Sequence, residues 1–211
     1  MRRGVRDMTD DGTLKVWVDF LCPWARIGAH WIRNVEATGK LDLELEFRSF
    51  SLENINLPEE ASADELWATA TERRGLLPAA AAKWVQTQAP ESFKGYQRLM
   101  FDARHVDHEK IGQPDVTAQI LTKAGLDGDA IVKELTDDSK WLEAARADHD
   151  EANELGIFGV PTFVFPGAAP AFVRLLEISE GDRALEIYGD VKTAAANPTI
   201  HEIKRPSLVR K

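Results

Sequence analysis

The sequence predicts an α/β protein built on a four-stranded mixed sheet with flanking helices, split by a long helical block. Three observations lead there. Short apolar runs of strand length occupy both ends of the chain, over Leu14–Leu21, Leu41–Phe50, Pro161–Pro166 and Ala171–Ile178. Between the second and third runs, from about Ala61 to Leu155, alanine, leucine and charged residues dominate, broken at Gly75, Pro78, Pro90, Gly112–Pro114 and Gly125–Gly128. That texture reads as five or six helices. Finally, the segment DFLCPWARIG at residues 19–28 places the only cysteine of the 211-residue chain where a strand gives way to a helix.

Each element has a local reason. Residues 1–12 are polar and charged, the composition of a loose arm. LKVWVDFL is nearly continuous in apolar residues, as in a strand buried on both faces. Pro23 suits a first helical turn, which has no use for its missing N–H. Trp24, Ile27, Trp31 and Val35 follow at helical spacing and Gly39 closes that helix. In LDLELEFRSF, Leu41, Leu43, Leu45 and Phe47 alternate with Asp42, Glu44 and Glu46. A right-handed crossover makes the first two strands parallel, and the short turn at Gly167 makes the last two antiparallel. A closing helix runs from about Asp182 to Ala195. The expected division is a sheet domain of residues 13–58 and 157–205, with an inserted helical domain of residues 59–156.

Composition narrows the function. A net charge of −9 disfavours nucleic acid and anionic membranes, which reward clustered positive charge. No apolar run reaches the roughly 18 residues of a membrane helix. The N-terminus lacks the apolar stretch of a secretory signal, and one cysteine makes no internal disulfide, so the expected location is the cytoplasm. The expected state is a monomer or homodimer.

Cys22 is the candidate catalytic residue. A cysteine just before the first helical turn faces unpaired backbone N–H groups and the positive end of the helix dipole. Such a placement lowers a thiol pKa, and the thiolate is the nucleophile. A fall from about 8.5 to about 5.5 would carry the thiolate at neutral pH from roughly 3% to above roughly 95%. Arg26, four residues on, is expected to add to the effect. The alternative is that Cys22 is a small buried hydrophobe, the usual fate of a free cysteine; the strand-end position and Pro23 weigh against it.

These residues resemble a known family. Cys-Pro-Trp preceded by Asp-Phe and followed by Ile-Gly looks like the active site of the DsbA family of thioredoxin-fold oxidoreductases, and in particular its cytoplasmic FrnE-like branch and the mycothiol-dependent nitroreductases. EANELGIFGVPTFVF, residues 151–165, resembles the family's helix-to-strand segment ending in Gly-Val-Pro-Thr. EFRSFSL (46–52) and NPTIHEIKR (197–205) are similar to further segments of the same branches. The resemblance implies a thioredoxin fold with a helical insertion and a cis peptide before Pro161. It also implies a Val160 backbone that offers its N–H and C=O to a sulfur-bearing ligand beside Cys22.

One position departs from the pattern. The family carries a second cysteine where this chain has Ala25. Two-cysteine turnover needs that thiol to release the mixed disulfide. What the resemblance leaves is single-thiol chemistry, with glutathione, mycothiol or bacillithiol as co-substrate and a small molecule or peptide as the other partner. Two alternatives stay open: a protein similar to kappa-class glutathione transferases and isomerases, whose motif has serine at the Cys22 position, or a redox-inactive binding protein on the same fold.

The expected ligand-binding residues are Pro23, Trp24, Arg26, Val160, Pro161, Thr162, Ser51 and Asn54. Trp24 would supply an apolar wall. Ser51 and Asn54, with Asn56, follow the second strand on the edge where ligands of open α/β sheets collect, although such residues also simply make turns. Asp19 reads as a turn or capping carboxylate with a possible second role in tuning Cys22. His105 and His108, near Asp102 and Glu109, have a spacing common on charged helices, and no metal is expected. Trp67, Trp84 and Trp141 read as core or pocket lining. His30 lies two turns beyond Cys22, too far for a Cys–His pair.

Overall fold

In a computed structural model the described residues are 12–58, Trp67 and 74–204. Residues 1–11 of the expected N-terminal arm and the expected start of the helical block at residue 59 lie outside them. Strand β1 (Thr13–Val18) leads through a tight turn into helix α1 (Pro23–Ala37), and β2 (Glu44–Ser49) follows. A one-turn helix α2 (Leu52–Ile55) precedes, among the described residues, five longer ones. These are α3 (Leu76–Gln88), α4 (Pro90–His105), α5 (Pro114–Lys123), α6 (Gly128–Asp137) and α7 (Lys140–Glu154). The chain then returns to β3 (Thr162–Val164), β4 (Ala171–Phe172) and α8 (Gly181–Ala195).

The sheet order is β2-β1-β3-β4. β1 and β2 are parallel, with Thr13 opposite Glu44 and Val18 opposite Ser49, and the other two pairings are antiparallel. This is the mixed sheet the sequence predicts. All four strands are shorter than expected, β3 keeping Thr162–Val164 of the Pro161–Pro166 run. β1 stops at Val18 because Asp19 turns the chain: its backbone carbonyl accepts from Cys22 N and its carboxylate from Leu21 N. β2 begins at Glu44, after an irregular 38–43 connection. β4 keeps only two residues of the expected Ala171–Ile178 run, because β3 offers it a partner of three residues.

Alternation along the strands sorts the faces. Val16 and Phe163 are opposite each other and turn toward α1 and α8, where Trp31, Phe163, Phe165 and Tyr188 meet edge to face, tilted or stacked. Trp31 also donates its indole N–H to the Ala184 carbonyl at 3.2 Å, joining the two helices. Trp17 turns the other way and donates to the Asp148 carbonyl of α7 at 2.9 Å. Fully buried, these side chains fix α1 on the sheet, and with it the orientation of its N-terminus.

Candidate functional site at the head of α1

Cys22 is the residue immediately before α1, with extended backbone angles (φ −89°, ψ 117°) and Pro23 at the first helical position. Across from it, the Val160–Pro161 peptide is cis. The thiol donates to the Val160 carbonyl with an Sγ–O distance of 3.3 Å. The neighbouring groups are spent within the fold: Val173 N donates to the Pro161 carbonyl, and Thr162 Oγ1 to the Gly159 carbonyl at 2.6 Å. Thus Val160 and Pro161 stand at the cysteine, and Thr162 braces the loop from inside. Gly28 permits the approach. A Cβ there would lie 2.8 Å from Pro161 Cγ, closer than real contacts allow, and a tight 3.1 Å from its Cβ.

The electrostatics differ from the expectation. Cys22 is shallowly buried, with 6% of its surface exposed. Burial pushes its thiol up from the ordinary value; the Ala25 and Trp24 amides at the helix head pull it down, Asp19 raises it, and Arg174 lowers it. Burial wins. The expectation of an anionic sulfur at neutral pH is therefore corrected: the helix terminus acts in the anticipated direction, but desolvation of the charged form is larger. A neutral thiol also fits its partner, since a carbonyl oxygen accepts from S–H and repels S⁻. Ala25 is fully buried, so its methyl packs into the core rather than facing a ligand.

Arg26 is not the cation near the sulfur. Its Nε and Nη2 both donate to Asp102 Oδ1, at 3.0 and 2.8 Å. Asp102 also takes Arg98 at 3.7 Å, and His30 Nε2 lies 3.6 Å from it. The cation that acts on Cys22 is Arg174, which sequence reasoning missed. Its guanidinium carbon lies 5.6 Å from the Trp24 ring centroid and 5.0 Å from that of Phe172. Trp24 is half-buried, its ring beside the Arg174 guanidinium.

Asp19 is buried and accepts from Leu21 N (2.8 Å) and Leu52 N (2.7 Å). Burial, against these two bonds, raises its carboxyl to about 6. It serves as a turn carboxylate and as a charge felt by Cys22. Ser51 caps α2 by accepting from Asn54 N at 3.1 Å. Ser51 N donates to His149 Nδ1 at 3.3 Å, and His149 Nε2 meets Asn54 Oδ1 at 3.0 Å. That network assigns the proton to Nε2. Burial lowers the His149 pKa, so the ring is neutral. Ser51 and Asn54 are thus bound to each other through His149, which carries no signal of this role in its own stretch of chain. Asn56 Nδ2 turns back to the Leu52 carbonyl.

The remaining candidates go elsewhere. His105 Nε2 donates to the Phe20 carbonyl at 2.9 Å, while His108 lies beyond α4 with a left-handed φ of 58°. Trp84 and Trp141 clamp the two oxygens of Glu134, at 2.9 and 2.8 Å, and Trp67 packs on His149. Among the described residues, no helix is long and apolar enough to cross a membrane.

A cysteine heading α1, a cis-proline facing it and a β2-β1-β3-β4 sheet interrupted by helices define a thioredoxin-fold protein. A family model described as the DSBA-like thioredoxin domain matches residues 13–176, and the chain belongs to that family. It is 29% identical over 194 residues to the protein Rv2286c of Mycobacterium tuberculosis, covering 92% of this chain and 82% of that one. The fold is similar to a probable DsbA oxidoreductase, SCO1869, of Streptomyces coelicolor (TM-score 0.59, 16% identity, 92% and 93% of the two chains). It is also similar to the cytosolic disulfide reductase DsbM of Pseudomonas aeruginosa, solved with GSH (TM-score 0.61, 16% identity, 86% and 100%).

Proposed function

We propose that the protein is a thiol oxidoreductase that works through Cys22 alone, with a low-molecular-weight thiol supplying the second sulfur. The observation that carries this reading is the 3.3 Å contact of Cys22 Sγ with the carbonyl of the cis-proline loop at the head of α1. The sulfur is held where an extended ligand could pair with the loop backbone.

Cys22 loses its proton and attacks a disulfide; the S–S bond of the substrate breaks, a mixed disulfide forms, and half of the substrate leaves as thiolate. Ala25 offers no sulfur for the next step. A small thiol (glutathione, mycothiol or bacillithiol) attacks instead, and a second equivalent carries off the oxidised pair. Per cycle two small thiols become one disulfide and the substrate gains two electrons and two protons. The upward-shifted thiol means that arrival of the ligand must first release Sγ from the Val160 carbonyl. Then the Trp24 and Ala25 amides can hold the charge. Pro23, Trp24, Val160, Pro161 and Thr162 frame this site. The absence of a second cysteine and the likeness to a cytosolic reductase solved with GSH support a cytoplasmic setting and a small-thiol partner.

The experiment is incubation with the disulfides of the three thiols, followed by intact mass and by release with excess thiol. A single adduct on Cys22 that excess thiol removes supports the reading. No adduct overturns it. The upward shift of Cys22 favours one rival, a binding protein without turnover, which would take the small thiol reversibly but reduce no disulfide.

A further inference from the structure

The single-thiol reading leaves open which disulfide the site prefers; the inference below rests on that reading. We propose that Arg174 is a specificity-determining residue that selects anionic, carboxylate-bearing thiols and disulfides at Cys22. First, two aromatic rings hold the guanidinium. Arg174 lies two residues past β4, with its carbon 5.6 Å from the ring of Trp24, two residues after the cysteine, and 5.0 Å from the ring of Phe172. Phe172 stacks in turn on Phe158, at 5.2 Å between centroids, in the loop that leads to Val160. An aromatic row thus runs from the head of α1 to the cis-proline loop, and the cation sits in it.

Second, its hydrogen-bonding edge is unspent. Among the described residues, no carboxylate pairs with Arg174 and no acceptor takes its N–H groups. Arg26 is turned to Asp102, and Arg33 and Lys94 are both paired with Glu36. A guanidinium offers five donors in a planar fork that matches a carboxylate, and aromatic faces hold that fork while leaving its edge open. Third, its charge reaches the sulfur, so an anion bound to it lies beside Cys22. On a chain of net charge −9 the general field repels anions, and only a local cation of this kind would reverse that at the site. Glutathione and bacillithiol carry carboxylates and mycothiol carries none, so the assignment ranks the first two above the third.

The test uses the whole chain and three disulfide probes. They are 5,5′-dithiobis(2-nitrobenzoate), which is anionic, 4,4′-dithiodipyridine, which is neutral, and cystamine, which is cationic. In each, Cys22 displaces one half as a thiol or thiolate and keeps the other in a mixed disulfide. Loss of Arg174 also raises the Cys22 pKa and slows all three together, so the readout is the ratio of second-order rate constants between probes. Arg174→Gln is expected to lower the anionic-to-neutral ratio about three- to tenfold at low salt and to raise the cationic-to-neutral ratio. Arg174→Lys keeps the charge and should recover part of the anion preference. In the wild type the preference should shrink as salt rises toward 1 M. Ratios unchanged by Arg174→Gln overturn the assignment while leaving the exchange reading intact. Failure of all three probes to modify Cys22 overturns the exchange reading itself.

Discussion

The Cys22 thiol and the Val160 carbonyl meet at 3.3 Å across 138 residues of sequence, a hydrogen bond that only the protonated sulfur can donate. Four influences act on that proton. Desolvation and Asp19 favour the thiol; the helix-head amides and Arg174 favour the thiolate. The pH dependence of Cys22 alkylation by iodoacetamide should therefore have its midpoint above that of an ordinary cysteine. Asp19→Asn removes a nearby negative charge and is expected to move the midpoint down, while Arg174→Gln moves it up. An unchanged midpoint in Asp19→Asn would show that the carboxylate does not reach the sulfur.

Gly28 and Gly189 both lie inside helices, yet alanine should have opposite effects at the two. On α8, Gly189 has nothing within 4 Å of an added Cβ, so Gly189→Ala should gain up to ~1 kcal/mol from helix propensity. On α1, the same methyl would meet Pro161 at 2.8 Å and Phe163 Cζ at 3.3 Å. Overpacking there costs about 1–3 kcal/mol, more than the propensity gain. Gly28→Ala should lower the urea midpoint and also slow Cys22 modification, because the helix head is pushed from the proline loop.

Asp148 of α7 is the anchor between the helices and the sheet. Its carboxylate, 2% exposed, takes Lys83 at 2.7 Å, Arg48 at 2.8 Å and the Ser49 amide at 2.8 Å. Asp148→Ala leaves two cations and an amide without their acceptor. The expected loss is about 3 kcal/mol, at the low end for a broken buried pair because Arg48 keeps some contact with water and with Glu46. Thermal or urea unfolding checks it; a loss below ~1 kcal/mol would mean that the cations re-solvate freely.

What was legible in the sequence was what local chemistry encodes. Cys22-Pro23 at a strand end, the alternation of β1 and β2, and the Gly-Val-Pro-Thr segment each carry their geometry within a few residues. The sheet and the cysteine–proline pair followed. What stayed hidden depends on distant partners. Arg174 reads as one polar residue in an apolar run until β4 stops at Phe172 and Trp24 comes alongside. Arg26 has the right spacing for Cys22, but Asp102 on α4 claims it. The thiol's upward shift is a matter of how deeply the loop and helix cover it, which spacing along α1 does not report. His149 was hidden for the same reason: its neighbours Phe50, Ser51, Asn54 and Trp67 lie far off in the chain.

Asp19 also leaves a mark on stability. Its folded pKa, about 6, is above the unfolded value, so the folded state binds the proton more tightly. The contribution is thus fully present below the unfolded pKa and is lost as pH rises through about 6. Relative to Asp19→Asn, the wild type should gain stability as pH falls from 7 toward 4, by ~3 kcal/mol at most. The buried, neutral His149 has the opposite sign: its folded pKa is depressed, so its contribution is present above the unfolded histidine value and fades as pH falls through the folded one. Unfolding at several pH values of the wild type, Asp19→Asn and His149→Gln separates the two. Subtracting Asp19→Asn from wild type should leave a curve that rises toward acid, and subtracting His149→Gln one that falls. A flat first difference would mean that the Leu21 and Leu52 amides compensate the carboxylate for its burial.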